Sequence, residues 1–146
     1  LFRSTPASII IHPNGKHIYC AGYVYDTDTS SYTSFHLWMF QVNNDGSLTP
    51  MDTSVINLSN KVSGMAIDPS GIHLYINTGS LYVYTIKPDG SLNSSPDAYT
   101  PDTGISLQNI YIDSNNHVYV LGKNPPPVLI TYIYWIQSGV HICCNN

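Results

Sequence analysis

The chain has 146 residues, which is enough for one domain with a sizeable hydrophobic core. Only 10% of the residues are charged and the formal net charge is -4, so the chain lacks the basic surface that a nucleic-acid partner requires. The longest apolar run, residues 128–136, is too short to cross a bilayer, and no membrane span is expected. No targeting segment is recognisable, so the sequence predicts no cellular compartment.

A sequence pattern that later recurs begins near the start of the chain. The apolar triplet at residues 9–11 leads into His-Pro-Asn-Gly at residues 12–15 and then His-Ile-Tyr at residues 17–19. An aromatic-rich run at residues 37–40 is followed by Asp-Gly-Ser-Leu at residues 45–48. Because aromatic and β-branched residues favour strands, while Pro, Asn, Asp and Gly favour turns, the pattern predicts strands joined by tight turns.

The same pattern occurs twice more. The apolar triplets are spaced by 56 and then 45 residues, and the first two Asp-Gly turns by 44 residues. Periods near 45 are typical of four-stranded propeller blades. The second copy comprises residues 65–67, 68–71, 73–75, 81–84 and 89–92. The third, more degenerate copy comprises residues 110–112, 113–116, 117–119, 132–135 and 138–139. A WD40 blade would carry a Trp-Asp dipeptide, but Met39 follows Trp38 and Ile136 follows Trp135. Helical repeats would need apolar spacings of three and four, which are absent.

The sequence therefore predicts an all-β fold of about three β-propeller blades, each a four-stranded antiparallel sheet. The blades are expected at about residues 6–52, 62–97 and 107–146 of a single domain. Three blades are fewer than the roughly four to eight that close a ring, so the ring is expected to be incomplete. Either the chain is part of a larger propeller protein, or its open edges are covered by other copies.

Residues 6–19, 67–75 and 81–92 resemble blades of the lactonase-like propellers, the family of 6-phosphogluconolactonase. The resemblance extends over nearly the whole chain and implies a complete domain of seven blades. It also implies a catalytic site that contains Arg, Glu and His side chains for binding a sugar phosphate and moving protons. This chain has no Glu, and Arg3 is its one arginine, so no catalytic residue is assigned from the resemblance.

Most of the histidines and aspartates are explained by the repeat. His17, His73 and His117 occupy one equivalent position, and a structural role beside the following Tyr is favoured. His12 stands where the other copies have Asp68 and Asp113, and it is interpreted as a turn residue, as are Asp45 and Asp89. Cys20 is interpreted as a core residue, and no role is predicted for Cys143 and Cys144. No cofactor or metal site is expected.

Ligand-binding residues are predicted on one end of the blades. The connections at residues 26–34, 53–62, 96–106 and 123–127 are longer and more variable than the repeated turns, and they are expected to emerge on one common face. The candidate ligand-binding residues on this face are Asp26, Asp28, Tyr32, Lys61 and Lys123.

These observations predict a non-catalytic β-propeller module for interaction or assembly. Its expected partner is another protein or a second copy, bound through the open blade edges, and a small sugar-like ligand is a further possibility. The alternative is that the chain is one portion of a lactone-hydrolysing enzyme resembling 6-phosphogluconolactonase, whose Glu and Arg residues lie in other blades.

Overall fold

The computed structural model describes residues 2–100, 106–124 and 128–134. In this part of the chain the secondary structure consists of three antiparallel sheets without a helix. The predicted fold class, all-β with antiparallel propeller-type sheets, is confirmed. No helix that could cross a membrane occurs among the described residues.

Each sheet follows the chain in simple up-and-down order. The first sheet consists of β1 (Phe2–Ile11), β2 (His17–Asp26), β3 (Ser31–Val42) and β4 (Leu48–Leu58). The second consists of β5 (Gly64–Ile67), β6 (His73–Asn77), β7 (Leu81–Thr85) and β8 (Asp97–Tyr99). The third consists of β9 (Ser106–Ile112), β10 (Val118–Asn124) and β11 (Val128–Tyr134).

The repeated turns have the geometry that their residues favour. Gly15, Gly71 and Asn116 close the first hairpin of the three sheets with φ values of 70°, 73° and 65°. Gly46 and Gly90 close the turns that follow β3 and β7, with φ values of 83° and 84°. A positive φ is readily adopted by Gly and tolerated by Asn, so these residue types determine where each hairpin reverses.

The sheets stack face to face, and alternate residues of the middle sheet point to opposite neighbours. Leu74 and Ile76 of β6 pack with Tyr19 and Leu37 of the first sheet in one core. Tyr75, which lies between them in sequence, packs instead in a second core with residues of the third sheet. That second core contains Tyr75, Leu81, Leu107, Val118 and Val120.

The first strands of the sheets, β1, β5 and β9, lie beside one another. At this inner edge a Cβ on Gly64 would lie 3.1 Å from the carbonyl oxygen of Gln108, so the glycine permits a close backbone approach between β5 and β9. The Asn77 side-chain amide also donates to the Gln108 carbonyl at 3.1 Å. The second and third sheets are therefore coupled by hydrogen bonds as well as by an apolar core.

The structure differs from the sequence prediction at two connections. Residues 26–34 were expected to be an irregular loop, but only a tight turn separates β2, which ends at Asp26, from β3, which begins at Ser31. Residues 53–58, also expected to be loop, belong to β4. The sheet continues into both segments because residues 25–26 pair with residues 31–32 and residues 55–58 pair with residues 35–38. The predicted blade boundaries remain a proposal, and residues 135–146, with Cys143 and Cys144, lie outside the described residues.

Candidate functional site

One face of the first sheet is rich in apolar side chains, and no other sheet of the described residues packs on it. The pairing of Ile9 with Cys20, of Cys20 with Trp38 and of Trp38 with Val55 places these residues in one row across the sheet. A second row contains Ile11, Ile18 and Phe40 by the same pairing. We call this surface the first-sheet open face; it comprises Ile9, Ile11, Ile18, Cys20, Trp38, Phe40, Leu48 and Val55.

Several residues of the first-sheet open face are unusually exposed for their size. The exposed fractions are 64% for Ile9, 58% for Ile11, 50% for Val55 and 46% for Leu48. Trp38 lies across Gly22, where an added Cβ would meet a Trp38 ring carbon at 2.9 Å. Contiguous exposed apolar surface of this kind marks interaction sites in globular proteins.

The opposite end of the stack also presents a sheet face. Tyr111 is 67% exposed, and its ring centroid lies 6.2 Å from that of its cross-strand partner Tyr119. A shallow, mainly apolar hollow of about 140 Å³ adjoins the two rings and includes Leu121. We call the surface formed by Tyr111, His117, Tyr119 and Leu121 the third-sheet open face. The sequence predicted association through open strand edges, whereas the apolar surfaces at the two ends of the stack are sheet faces.

The junction between the first and second sheets shows how such a face is covered. His12 Nε2 lies 2.9 Å from the Gly71 carbonyl oxygen, and the Tyr19 hydroxyl donates to the Gly90 carbonyl at 2.8 Å. His17 packs so closely on Gly90 that a Cβ there would overlap the imidazole ring. Side chains of one sheet thus sit on the two glycine turns of the next.

His17 is buried in this junction without a full set of partners. It is 8% exposed, and its Nδ1 atom has no hydrogen-bond partner. Burial lowers the pKa of His17, and His12 and Lys16 lower it further, whereas Asp89 acts in the opposite direction. The neutral imidazole is therefore the form that fits the junction.

The equivalent histidines in the other sheets form pairs with turn aspartates. His73 Nδ1 lies 2.7 Å from Asp68, and His117 Nδ1 lies 2.8 Å from Asp113. Asp68 also accepts hydrogen bonds from Ser70 and from the Ile72 amide. These contacts hold the hairpin turns together, in agreement with the structural role predicted for the histidines. Among the described residues no group of three or more His, Cys, Asp or Glu side chains could hold a metal ion.

Some of the predicted ligand-binding residues lie close together at the far end of the β2–β3 hairpin. The ring centroid of Tyr32 lies 4.9 Å from that of Tyr23 and 5.3 Å from that of Tyr25. Lys61 Nζ, from the connection between β4 and β5, lies 5.1 Å from the centroid of the Tyr23 ring. We call the group formed by Tyr23, Tyr25, Tyr32, Phe35 and Lys61 the aromatic corner.

The remaining predicted residues have other positions. Asp26 caps the adjacent turn, where its carboxylate accepts from the Asp28 amide at 3.0 Å and the Thr29 hydroxyl at 2.8 Å. These hydrogen bonds lower the pKa of Asp26. Lys123 lies on β10 in the third sheet, whereas the aromatic corner belongs to the first. The aromatic residues Tyr23 and Tyr25 were not singled out from the sequence, although their alternate spacing on β2 places them on one face.

A larger cleft was not predicted. It has a volume of about 740 Å³ and lies between the outer strands of the first sheet and the connection from β7 to β8. Its lining includes Met39, Asp52, Lys87, Asp89 and Leu92. The cleft arises because residues 51–54 bulge out of β4 opposite Met39, and such an irregularity of pairing has no clear sequence signal.

Comparisons with known proteins support the fold and nothing more specific. No family model matches the chain, and no curated protein matches it. Among solved structures, Kuenenia stuttgartiensis hydrazine synthase matches with a TM-score of 0.61 and 13% identity over 92% of this chain and 47% of that chain. A Mycobacterium tuberculosis puromycin-hydrolyzing peptidase matches with a TM-score of 0.60 and 15% identity over 95% of this chain and 23% of that chain.

A protein of unknown function from Desulfotomaculum acetoxidans DSM 771 also matches, with a TM-score of 0.58 and 10% identity. That alignment covers 97% of this chain and 56% of the other. The chain thus spans about half or less of the length of these solved structures. At such low identities the likeness concerns the fold alone.

Proposed function

We propose that the protein is a non-catalytic propeller module that acts by docking its open sheet faces onto another β-sheet surface. The observation that carries this proposal is the difference between matched residues of the first two sheets. Leu48 is 46% exposed on the first sheet, whereas its repeat equivalent Leu92 is 7% exposed against a neighbouring sheet. A side chain that the repeat buries in one copy and leaves uncovered in another indicates a missing neighbour.

The kind of partner follows from the shape of the surface. Propeller sheets are covered by other sheets, through side chains that interdigitate face to face. The first-sheet open face is apolar, and the polar ring of His36, which lies beside Trp38, is paired locally: its two nitrogens contact Asn57 at 3.0 Å and Ser34 at 2.8 Å. A partner with a flat apolar sheet face would therefore bury few unpaired polar groups.

The test is a footprinting experiment on the protein within its native assembly. Hydroxyl-radical labelling of Ile9, Ile11 and Val55 is compared between the isolated chain and the protein tagged and purified gently from its own cells. We expect at least about fivefold slower labelling in the assembly, since buried side chains react slowly, and unchanged labelling of the control Ile72, which is exposed in the turn between β5 and β6. Equal labelling of the open face in both samples would overturn the proposal.

The resemblance to lactonase-like propellers supports a second candidate, a lactone-hydrolysing enzyme of which this chain forms one part. The cleft that contains Asp52, Asp89 and Lys87 favours it, because carboxylates and an amine can serve as acid and base. The discriminating experiment assays the intact protein on sugar lactones and on aromatic lactones. Turnover that is lost in Asp52→Asn would support the enzyme, and absence of turnover on both substrate classes would eliminate it.

A small sugar-like ligand at the aromatic corner is a subsidiary part of the proposal. Tyr32 is 51% exposed and makes an edge-to-face contact with Tyr23, so its ring offers an apolar platform near the Lys61 ammonium group, which lies over Tyr23. Titration of the protein with mono- and disaccharides, followed by tyrosine fluorescence, tests this site. Binding should be lost in Tyr32→Ala and retained in the control Tyr111→Ala; equal binding by both variants would exclude the corner.

A further inference from the structure

The glycine turns of the first and second sheets have the same structure but different surroundings. In the turn after β3, Gly46 donates to Asn43 at 2.9 Å, and Ser47 bonds Asp45 through its amide at 3.0 Å and its hydroxyl at 2.7 Å. The turn after β7 repeats these bonds with Gly90, Ser91 and Asp89, at distances of 2.8, 2.9 and 2.7 Å. The two turns are thus equivalent in backbone and side-chain geometry.

The side chains that contact the glycine turns differ between the first and second sheets. Gly90 is covered by His17 and Gly71 by His12, both from the preceding sheet. At the equivalent Gly46 and Gly15 of the first sheet, nothing lies within 4 Å of an added Cβ. The first sheet therefore has two glycine turns equivalent to those that His12 and His17 cover in the second sheet, and no described residue covers either of them.

The complementary residues are present at the other end of the stack. Asp113, His117 and Tyr119 occupy the repeat positions of His12, His17 and Tyr19. Tyr19 is fully buried, at 0% exposure, and Tyr75 is 2% exposed, whereas Tyr119 remains partly exposed. Tyr111 is 67% exposed where its second-sheet equivalent Ala66 is 8% exposed. The third-sheet open face thus presents a histidine and a tyrosine at the covering positions, both bonded to Asp113 of their own sheet and with no turn beneath them in the described part of the chain.

We propose that the third-sheet open face of one copy docks on the first-sheet open face of a second copy, head to tail. In this interface His117 covers Gly46 of the second copy, as His17 covers Gly90. The Tyr119 hydroxyl, which donates to Asp113 at 3.3 Å within its own sheet, donates instead to the Gly46 carbonyl, as Tyr19 does at Gly90. The occupant follows from the repeat itself, because the chain uses the same relationship between its own first and second sheets. The inference rests on the proposed function and specifies its partner.

Two copies supply enough sheets to form a closed propeller ring. The described part of the chain forms three sheets, and two such parts contribute six, which lies within the roughly four to eight blades found in closed propellers. Two head-to-tail contacts related by a twofold rotation then cover both open faces of both copies, so association stops at the dimer rather than continuing into a filament.

The test uses the intact chain and two charge variants, one on each face. Ile11→Lys alters the first-sheet open face and Tyr111→Asp alters the third-sheet open face; Asn60→Asp is a control at an exposed site in the connection between β4 and β5. Sedimentation equilibrium should give the wild type and the control twice the 16.1 kDa mass of one chain. Each face variant alone should sediment as a monomer, with a dissociation constant raised at least about tenfold because a charge is buried.

Mixing the two variants distinguishes head-to-tail contact from other pairings. A one-to-one mixture retains one unaltered interface, and in the other the introduced Lys meets the introduced Asp, so dimers should return. Circular dichroism and thermal unfolding establish that each variant is folded, and Ile9→Lys replaces Ile11→Lys if that variant is not. The inference would be overturned if the wild type is a monomer, if only one of the two face variants loses dimerisation, or if mixing the two variants does not restore dimers.

These outcomes are separable from failure of the proposed function. If the wild type is monomeric while the first-sheet open face is protected in the native assembly, another sheet protein is the partner and only the self-association is wrong. If the face remains reactive in the native assembly, the proposed function itself fails.

Discussion

His17 packs directly on the backbone of Gly90, and this contact couples the first sheet to the second. The glycine is required there for two independent reasons. Its φ of 84° is unfavourable for other residues, and any Cβ would overlap the imidazole ring. The contact therefore links a turn residue of one sheet to the packing of its neighbour.

Gly90→Ala should destabilise the protein more than a substitution that introduces backbone strain alone. The matched control is Gly79→Ala, because Gly79 has a φ of 100° but nothing within 4 Å of an added Cβ. We expect the control to cost about 1–2 kcal/mol of unfolding free energy and Gly90→Ala to cost at least about 1 kcal/mol more. Urea unfolding measures both values, and equal losses would show that His17 does not constrain this turn.

Stability should decrease as the pH falls from about 7 to 5, since the pKa of His17 is lowered by burial. Below about pH 6.5 the unfolded chain binds a proton at His17 that the folded junction excludes. The stability that neutral His17 contributes is therefore complete above about pH 6.5 and is lost as the pH falls towards the folded-state pKa of His17. His17→Phe, which cannot titrate, should reduce this pH dependence. Urea midpoints across the range provide the measurement, and identical slopes for wild type and variant would contradict the assignment.

Asp68→Asn should weaken the β5–β6 hairpin more than Asp45→Asn weakens the β3–β4 turn. Asp68 is 3% exposed and accepts from His73, Ser70 and the Ile72 amide, whereas Asp45 is exposed. Burial alone would raise the pKa of Asp68, but its hydrogen bonds outweigh burial and lower it. We expect Asp68→Asn to lower the free energy of unfolding by about 1–3 kcal/mol, measured by thermal unfolding near pH 7. A loss no greater than that of Asp45→Asn would argue against a stabilising role of the Asp68 hydrogen bonds.

Leu92→Ala and Leu48→Ala form a matched pair at one repeat position. Leu92 is buried in the core between the first two sheets, so its truncation should cost about 2–5 kcal/mol at any protein concentration. Leu48 lies on the first-sheet open face, so Leu48→Ala should lower the free energy of unfolding only at protein concentrations at which a partner covers that face. Unfolding measured at low and high protein concentration separates the two, and a concentration-independent loss for Leu48→Ala would contradict an interface role.

The repeat was sufficient to predict the hairpins, because each depends on local chemistry. Pro69 and Gly71 suit a tight turn whatever surrounds them, and the alternation around Tyr75 indicates a strand with two faces. The pairing of His73 with Asp68 follows from the same short spacing. Sequence reasoning was less successful at residues 26–34, where polar residues resembled a loop but continue a hairpin whose pairing is decided by the neighbouring strand.

The candidate site depended on contacts that the sequence does not encode locally. Tyr32 was singled out from the sequence, but its edge-to-face contact with Tyr23 and the position of Lys61 above that ring join three separate segments. The cleft beside Met39 also escaped prediction, because it arises from a pairing irregularity in β4.

The sequence by itself determined the all-β class, the turn positions and the equivalence of Gly46 with Gly90, since these follow from local conformational preferences and periodicity. Only the tertiary structure decided that Gly90 is covered by His17 while Gly46 is not, because coverage depends on the stacking order of whole sheets. Equivalent residues in a repeat share a conformation, but they share an environment only when each has a neighbour.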